Sequence, residues 1–347
     1  MRAMILKEFR QLRRDRRTLA MMIAMPVLLL VILGYAASFD VSFIPTAVAG
    51  PDVAAVTATL PKSFHVVAAN PKPDSAWART ELRDGHASIA IIGAGARPLV
   101  YLDGSQLFTA RAALGGLGGS SPQSRGGLGG SSPRVILLYN PDLKTSYVMI
   151  PGIVGVILVF VGTVITSLGV VRERQAGTLE QLAVMPLRPA DVFLGKIVPY
   201  FAVALADLAI VLAVGTAIFG VPFNGSVPVF ALGALLFVFV TLGLGVLISS
   251  VSQTQGQAIQ LAIMTLLPQV LMSGLIFPLS SMVAGVRWIA YLLPLTYFTE
   301  ISRGVMLRAQ PIASLWAPFT YLALLGAAVT VLATLRFRAF LAPKAAR

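Results

Sequence analysis

Six apolar runs of about twenty residues constrain this chain more than any other feature. They are Thr18–Ala37, Met149–Val171, about 197–220, about 228–250, about 257–279 and about 317–335. A helix needs roughly 20 apolar residues to cross the hydrocarbon core of a bilayer, so each run is a candidate membrane span. Composition agrees. Charged residues make up 12% of the 347 and hydrophobic ones 56%, with a mean hydropathy of +0.83, whereas soluble domains carry roughly 25% charged residues. Pro26, Pro199 and Pro268 fall in or near the spans, where bilayer helices tolerate them. The first run follows a basic segment, as a secretory signal does. It exceeds the roughly 7–15 apolar residues of a signal peptide, so an uncleaved helix is expected.

Orientation follows from Lys and Arg beside the spans. The first 17 residues hold seven of them. The segment after the second span holds Arg172, Arg174, Arg188 and Lys196, and the tail holds Arg336, Arg338, Lys344 and Arg347. The third-to-fourth loop holds none, and the fifth-to-sixth loop holds Arg287, Arg303 and Arg308. Both termini are therefore expected in the cytoplasm, with 337–347 as a cytoplasmic tail. The net charge of +13 belongs to this pattern and does not signal nucleic-acid binding. In residues 1–17, Ile5, Phe9 and Leu12 recur at helical spacing among basic residues, as in an amphipathic helix lying on the inner membrane face.

Residues 38–148 are polar enough to form an external domain. Strand patterns occur at 44–50, 64–69, 86–93 and 98–104, with a short helix at 75–85. Strands alternating with a helix indicate a small α/β domain inserted between the first two spans. GGLGGSSP occurs at 115–122 and again at 126–133. Such Gly/Ser composition predicts a flexible linker over 114–133.

Several chemistries are excluded. There is no cysteine, and His65 and His86 are the only histidines, so no thiolate or His-rich metal site is expected. Gly195-Lys196 is followed by Ile197, and Ala190 stands where a P-loop needs its first glycine. No HExxH or GxSxG pattern is present. The expectation is a chain without catalytic, cofactor or metal residues. Two ionisable groups invite a role. Asp207 lies within the third span, where a charge costs about 2.5–3.5 kcal/mol on the insertion scale unless paired or hydrated. It faces either a pore or a neighbouring helix. Glu300 and Arg303 stand at i,i+3 and are expected to pair on one helix face.

The stretch 170–189, VVRERQAGTLEQLAVMPLRP, separates two spans. Arg172, Glu173 and Arg174 continue the second span into the cytoplasm. Gly177 interrupts the helix. Thr178, with Gln181 three residues on, forms a capping-box pattern for a second short helix, which ends before Pro186 and Pro189. Leu179 and Leu182 offer packing surface, and Glu173, Arg174 and Glu180 offer ion pairs.

RERQAGTLEQLAVMPLRPADVFLGKIVPY resembles a motif of the type-2 ATP-binding-cassette exporter permeases. YNPDLKTSYVMIPGIVGVIL (139–158), LMSGLIFPLSSMVAGVRWIAYLLPLTYFTEISRGVML (271–307) and the N-terminal KEFRQLRRDRRTLAMMIAMPVLLLVILGYA resemble the same family in the same order. IPTAVAG, LRDGHASIAIIG and VYLDGSQ look like the domain of its sub-branch with a large external domain. The Gly/Ser linker departs from that pattern, because the family usually has long helical segments before YNP.

The resemblance implies a permease subunit of an ATP-driven exporter in a bacterial inner membrane. Its core would be 149–336, paired with a second copy or a paralogue, and the external domain would offer a surface for a periplasmic partner. ATP and Mg would bind on a separate ATPase subunit. That subunit would seat a coupling helix at about 172–185, with Arg172, Glu173, Arg174, Thr178, Leu179, Glu180, Gln181 and Leu182 at the contact. Re-entrant helices at about 280–307, with Pro278, Glu300 and Arg303, would close the pore externally. The alternatives are a proton-coupled transporter using Asp207 and a non-transporting membrane scaffold.

Overall fold

The computed structural model describes residues 41–93 apart from 42, 98–117, 133–176 and 189–341, together with positions 20 and 27. The N-terminal segment, nearly all of the first expected span and the residues from Gly177 to Arg188 lie outside the described residues.

The described residues between 44 and 138 form a three-layer α/β unit. β1 (Ile44–Ala49) lies between β2 (Phe64–Asn70) and β3 (Ile89–Ile92), parallel to both. β4 (Leu99–Asp103) runs antiparallel to β3, and β5 (Arg134–Leu138) parallel to β4, giving the order β2-β1-β3-β4-β5. α1 (Val53–Thr59) and α3 (Leu107–Gly116) cover one face, where Val56, Leu60 and Leu114 pack on Ile89, Ile91 and Val100. α2 (Ser75–Arg83) covers the other with Ala78 and Leu82. The Asp74 side chain starts α2 by accepting from the amides of Ala76 and Trp77 at 2.8 and 3.2 Å. α1, α3 and β5 carry no sequence signal that was legible beforehand. The first GGLGGSSP copy also behaves differently from a linker at its start. Gly115 and Gly116 close α3, and Leu117 is buried against the sheet. Apolar burial by Leu114 and Leu117 outweighs the weak helix propensity of two glycines.

The second unit is a helical bundle. α4 (Thr145–Gln175) is followed by α5 (Pro189–Ala217), α6 (Val227–Val251) and α7 (Gln255–Met272). Two short helices, α8 (Ala284–Ala290) and α9 (Pro294–Met306), precede α10 (Trp316–Leu341). Among the described residues four helices are long and apolar enough to cross a membrane: Thr145–Gln175, Val198–Ala217, Val227–Val251 and Trp316–Arg336. The fifth expected span is shorter than its apolar run. α7 stops at Met272, because the chain turns at Gly274 with φ +80°, a conformation that favours glycine. Its 18 residues reach about 27 Å, slightly less than the hydrocarbon thickness of roughly 30 Å.

α6 is the axis of the bundle and packs against α4, α5, α7, α9 and α10. Phe237 on α6 stacks on Phe298 of α9, with ring centroids 4.4 Å apart and planes 11° from parallel. α4 widens into a π turn at Val161–Ile165. There Gly162 faces Thr241 of α6, and Gly245 of α6 lies against the Gly162 carbonyl. Lipid offers helices no hydrophobic drive to associate, so close backbone approach at small residues supplies much of the attraction. A β-carbon at position 245 would meet backbone, which cannot rotate aside. Gly245→Val is therefore expected to lower the stability of the solubilised protein by about 1–3 kcal/mol, read as a drop in melting temperature. Gly115→Ala, where nothing lies within 4 Å, is expected to melt at least as high as the parent chain.

Candidate functional site

The polar residues gather at the two ends of α4. At its C-terminal end, Arg172 is exposed and Arg174 is half-buried. Arg174 Nη1 donates to the Ser252 carbonyl at 2.5 Å, and Gln255 Nε2 donates to Gln175 Oε1 at 2.9 Å. Both bonds reach the turn between α6 and α7. That turn is itself fixed. The Thr254 hydroxyl accepts from the Gln257 amide at 3.2 Å, and the Gln257 side chain accepts from the Gln253 amide at 2.9 Å. Burial lowers the number of waters that could solvate Arg174, so the carbonyl at the end of α6 is a natural partner. Glu173 stands in the same turn of α4. Thr178, Leu179, Glu180, Gln181 and Leu182 lie outside the described residues. The α6–α7 turn is the part of this end that sequence reasoning missed. Its signal was Thr254-x-x-Gln257, a capping box.

Asp207 sits half-buried on α5 and makes no hydrogen bond or ion pair with a described residue. Its helix is sparsely covered, with Val198, Val203 and Ile210 exposed.

The N-terminal end of α4 meets the α/β unit and the α7–α10 segment. The expected Glu300–Arg303 pair does not form. Arg303 instead donates from Nε to the Val148 carbonyl at 3.2 Å, from Nη1 to Gly274 at 3.0 Å and from Nη2 to Leu275 at 3.2 Å. The turn after α7 leaves the Gly274 and Leu275 carbonyls without helical partners, and a planar five-donor fork reaches these and Val148 at once. Arg303 thereby ties α9 to α4 and to the turn. Pro278 leads into a 3₁₀ turn, Leu279–Ser281. Glu300 remains exposed.

An ion pair that sequence reasoning did not find joins the two units. Arg308 Nη1 lies 3.3 Å from Asp103 Oδ2, with side chains 6% and 0% exposed. Asp103 Oδ1 also accepts from the Ser105 amide at 2.9 Å and from its hydroxyl at 2.6 Å. Arg308 Nη2 donates to Gln310 Oε1 at 3.1 Å, and Gln310 Nε2 donates to the Asp84 carbonyl at 2.7 Å. Ala309 between them is left-handed, with φ 51°, which turns both flanking side chains toward the α/β unit. Gly85, with φ +79°, leaves room for the Arg308 guanidinium, 3.4 Å from where a β-carbon would stand. Burial, reinforced by the Asp103 carboxylate, pushes the nearby Tyr139 phenol up to about 12. Beside this joint lies a cleft of about 280 Å³, bounded by Gln106 and Phe108 of the α/β unit and by Ser273, Thr299, Glu300 and Arg303 of the bundle.

Long apolar helices around a glycine-lined crossing, with an α/β unit at one end and a braced polar turn at the other, define a multi-pass α-helical membrane protein. Residues 16–335 match the ABC-2 family transporter proteins, and the chain belongs to that family. The probable multidrug ABC transporter permease YbhS of Escherichia coli (strain K12) is 28% identical over 339 residues, covering 89% of each chain. The probable multidrug ABC transporter permease YbhR of the same strain is 34% identical over 178 residues, 51% of this chain and 48% of that protein. The inner membrane transport permease YhhJ is 32% identical over 204 residues, 58% of this chain and 54% of that protein. The chain thus spans about half the length of YbhR and YhhJ in these matches.

Removing one partner of a buried ion pair strands the other, at about 3–5 kcal/mol. Asp103→Ala is therefore expected to lower the melting temperature of the solubilised protein sharply. The double change Asp103→Leu with Arg308→Met is expected to recover most of the loss. An unchanged melt for Asp103→Ala contradicts this account of the joint.

Proposed function

We propose that the chain is the membrane-spanning permease subunit of an ATP-driven exporter. It has six spans, with both termini in the cytoplasm and the α/β domain outside. The observation that carries this reading is the placement of the two polar ends of α4. The Arg172–Gln175 end is braced to the α6–α7 turn, and the other end is tied to the α/β unit through Asn140, which accepts from the Lys144 amide at 2.9 Å and donates to the Gly104 carbonyl at 3.3 Å. A single helix of 31 residues, about 46 Å long at 1.5 Å per residue, separates them. Such a rod carries a push from one side of a bilayer to the other.

A separate ATP-binding-cassette subunit, holding ATP and Mg, docks at the cytoplasmic end. Arg172, Glu173 and the segment Thr178–Leu182 form the contact there. Arg174 serves mainly to hold α4 against the α6–α7 turn. A second permease copy or a paralogue completes the pore in a bacterial inner membrane, and the α/β domain offers a surface to a periplasmic partner. α8 and α9, with Pro278, Glu300 and Arg303, close the external side. The names of YbhS and YbhR, together with apolar spans, support an amphipathic drug-like or lipid substrate.

The test is co-purification with neighbouring gene products and measurement of ATP hydrolysis and export. Leu179→Ala with Glu180→Arg is expected to insert normally and to abolish export. Retained ATP-dependent export by that variant overturns the coupling assignment. Asp207, half-buried and without a hydrogen bond or ion pair to a described residue, favours a second reading, proton-coupled transport. Asp207→Asn discriminates. Loss of proton-driven uptake into vesicles without ATP supports the second reading, and a changed substrate range in ATP-driven export places Asp207 on the pore.

A further inference from the structure

The space between the α/β unit and the bundle has a chemistry that the exporter reading does not use. The charged residues at this cleft are not equally available. Asp103 and Arg308 neutralise each other at 0% and 6% exposure. Arg303 borders the cleft, but three of its five N–H groups are held by the Val148, Gly274 and Leu275 carbonyls. Carbonyls at a helix C-terminus carry partial negative charge, so those beyond α7 offset part of the charge on Arg303. Glu300 differs from all three. It is exposed, and its carboxylate makes no hydrogen bond or ion pair with a described residue. Arg308 acts on it through space without contact. Glu300 is also the one acidic residue among the described residues that line the cleft. The accessible, unspent charge is therefore negative, and it calls for a cation.

The walls decide which kind of cation. Pro45 and Phe108 of the α/β unit and Pro278 and Leu279 of the bundle line the same space. A hard metal ion takes about six or more oxygen ligands. No group of three or more His, Cys, Asp or Glu side chains able to hold a metal ion is found among the described residues. One carboxylate, one aromatic ring and apolar walls suit an alkylated ammonium instead. Its charge is attracted by the carboxylate and by an aromatic face, and its alkyl groups lie against hydrocarbon.

Size adds a further constraint. The cleft holds about 280 Å³, slightly less than the roughly 300–1,000 Å³ of pockets for drug-sized ligands. It admits a small ammonium compound, or the head of a larger one whose chain stays outside.

We propose that this cleft binds an organic ammonium ion, its charge at Glu300 and its alkyl groups against Phe108, Pro278 and Leu279. The bound ion touches both units and braces them at a second place, beside the Asp103–Arg308 pair. No step uses ATP or a partner subunit, so the exporter reading can fail without affecting this site.

The test is calorimetric titration of the full-length chain in detergent with choline, with its neutral carbon isostere dimethylbutanol, and with dodecyltrimethylammonium. One choline per chain is expected, bound at least tenfold more tightly than the isostere. Glu300→Gln is expected to abolish that preference at an unchanged melting temperature of the ligand-free protein, because the carboxylate has no partner to lose. Phe108→Leu is expected to weaken choline about fivefold. Tighter binding of dodecyltrimethylammonium than of choline supports the head of a membrane amphiphile as the source of the ion, and equal or weaker binding supports a free solute. An isostere that binds as well as choline, a preference retained by Glu300→Gln, or no saturable binding of either ammonium overturns the proposal.

Discussion

A guanidinium buried beside a carboxylate fixes how the two halves of this molecule meet. Arg308 cannot be solvated at 6% exposure, and Asp103 is wholly enclosed. Each therefore depends on the other, and the α/β unit has one seat on the bundle. The supporting bonds point the same way: Gln310 holds the end of α2, Ser105 holds Asp103, and Gly85 clears the space. Apolar contact contributes as well, since Leu107 of α3 belongs to the bundle core with Val148 and Met306. An ion pair in such a place is no great source of net stability. It sets position, because any other seating would strand a charge.

Arg303 does comparable work a turn and a half earlier. Three carbonyls from α4 and from the turn after α7 converge on it. The same end of the bundle is thus organised by two arginines with different partners, one a carboxylate and the other backbone. At the opposite end Arg174 performs the backbone role again, toward Ser252. Arginines near the ends of the long helices are, in the folded chain, the pins that hold those ends together.

Much of the architecture was legible because local rules dominate it. The strands at 44–49, 64–70, 89–92 and 99–103 and the Asp74-capped helix carry their signals in alternation and capping. The apolar runs located the long helices of the bundle to within a few residues, apart from α5, which begins earlier at Pro189, α7, which ends at Met272, and α10, which continues to Leu341. α7 misled because Leu275–Phe277 extend its apolar run beyond a turn that only Gly274 betrays. α3 was obscured by the glycines at its end. The ionic contacts were harder. Glu300 and Arg303 are neighbours in sequence but not partners, whereas Asp103 and Arg308 are partners 205 positions apart. Spacing rules see only the first kind of pair. Of the candidate coupling residues, Arg174 was visible but its role as a brace was not, since Ser252 is 78 positions away.

The tight crossing of α4 and α6 has a mechanical consequence. The π turn at Val161–Ile165 places that crossing off-centre along α4. From Thr163 the rod extends about 27 Å toward the α/β unit and about 18 Å toward Arg172–Gln175 at 1.5 Å per residue. Gly162, Thr241 and Gly245 let the two backbones approach closely there, with Val159, Leu242 and Val246 packed around them, so the rod is held at one point. A rod pivoting on it swings its longer arm about one and a half times as far as its shorter one, in the opposite direction.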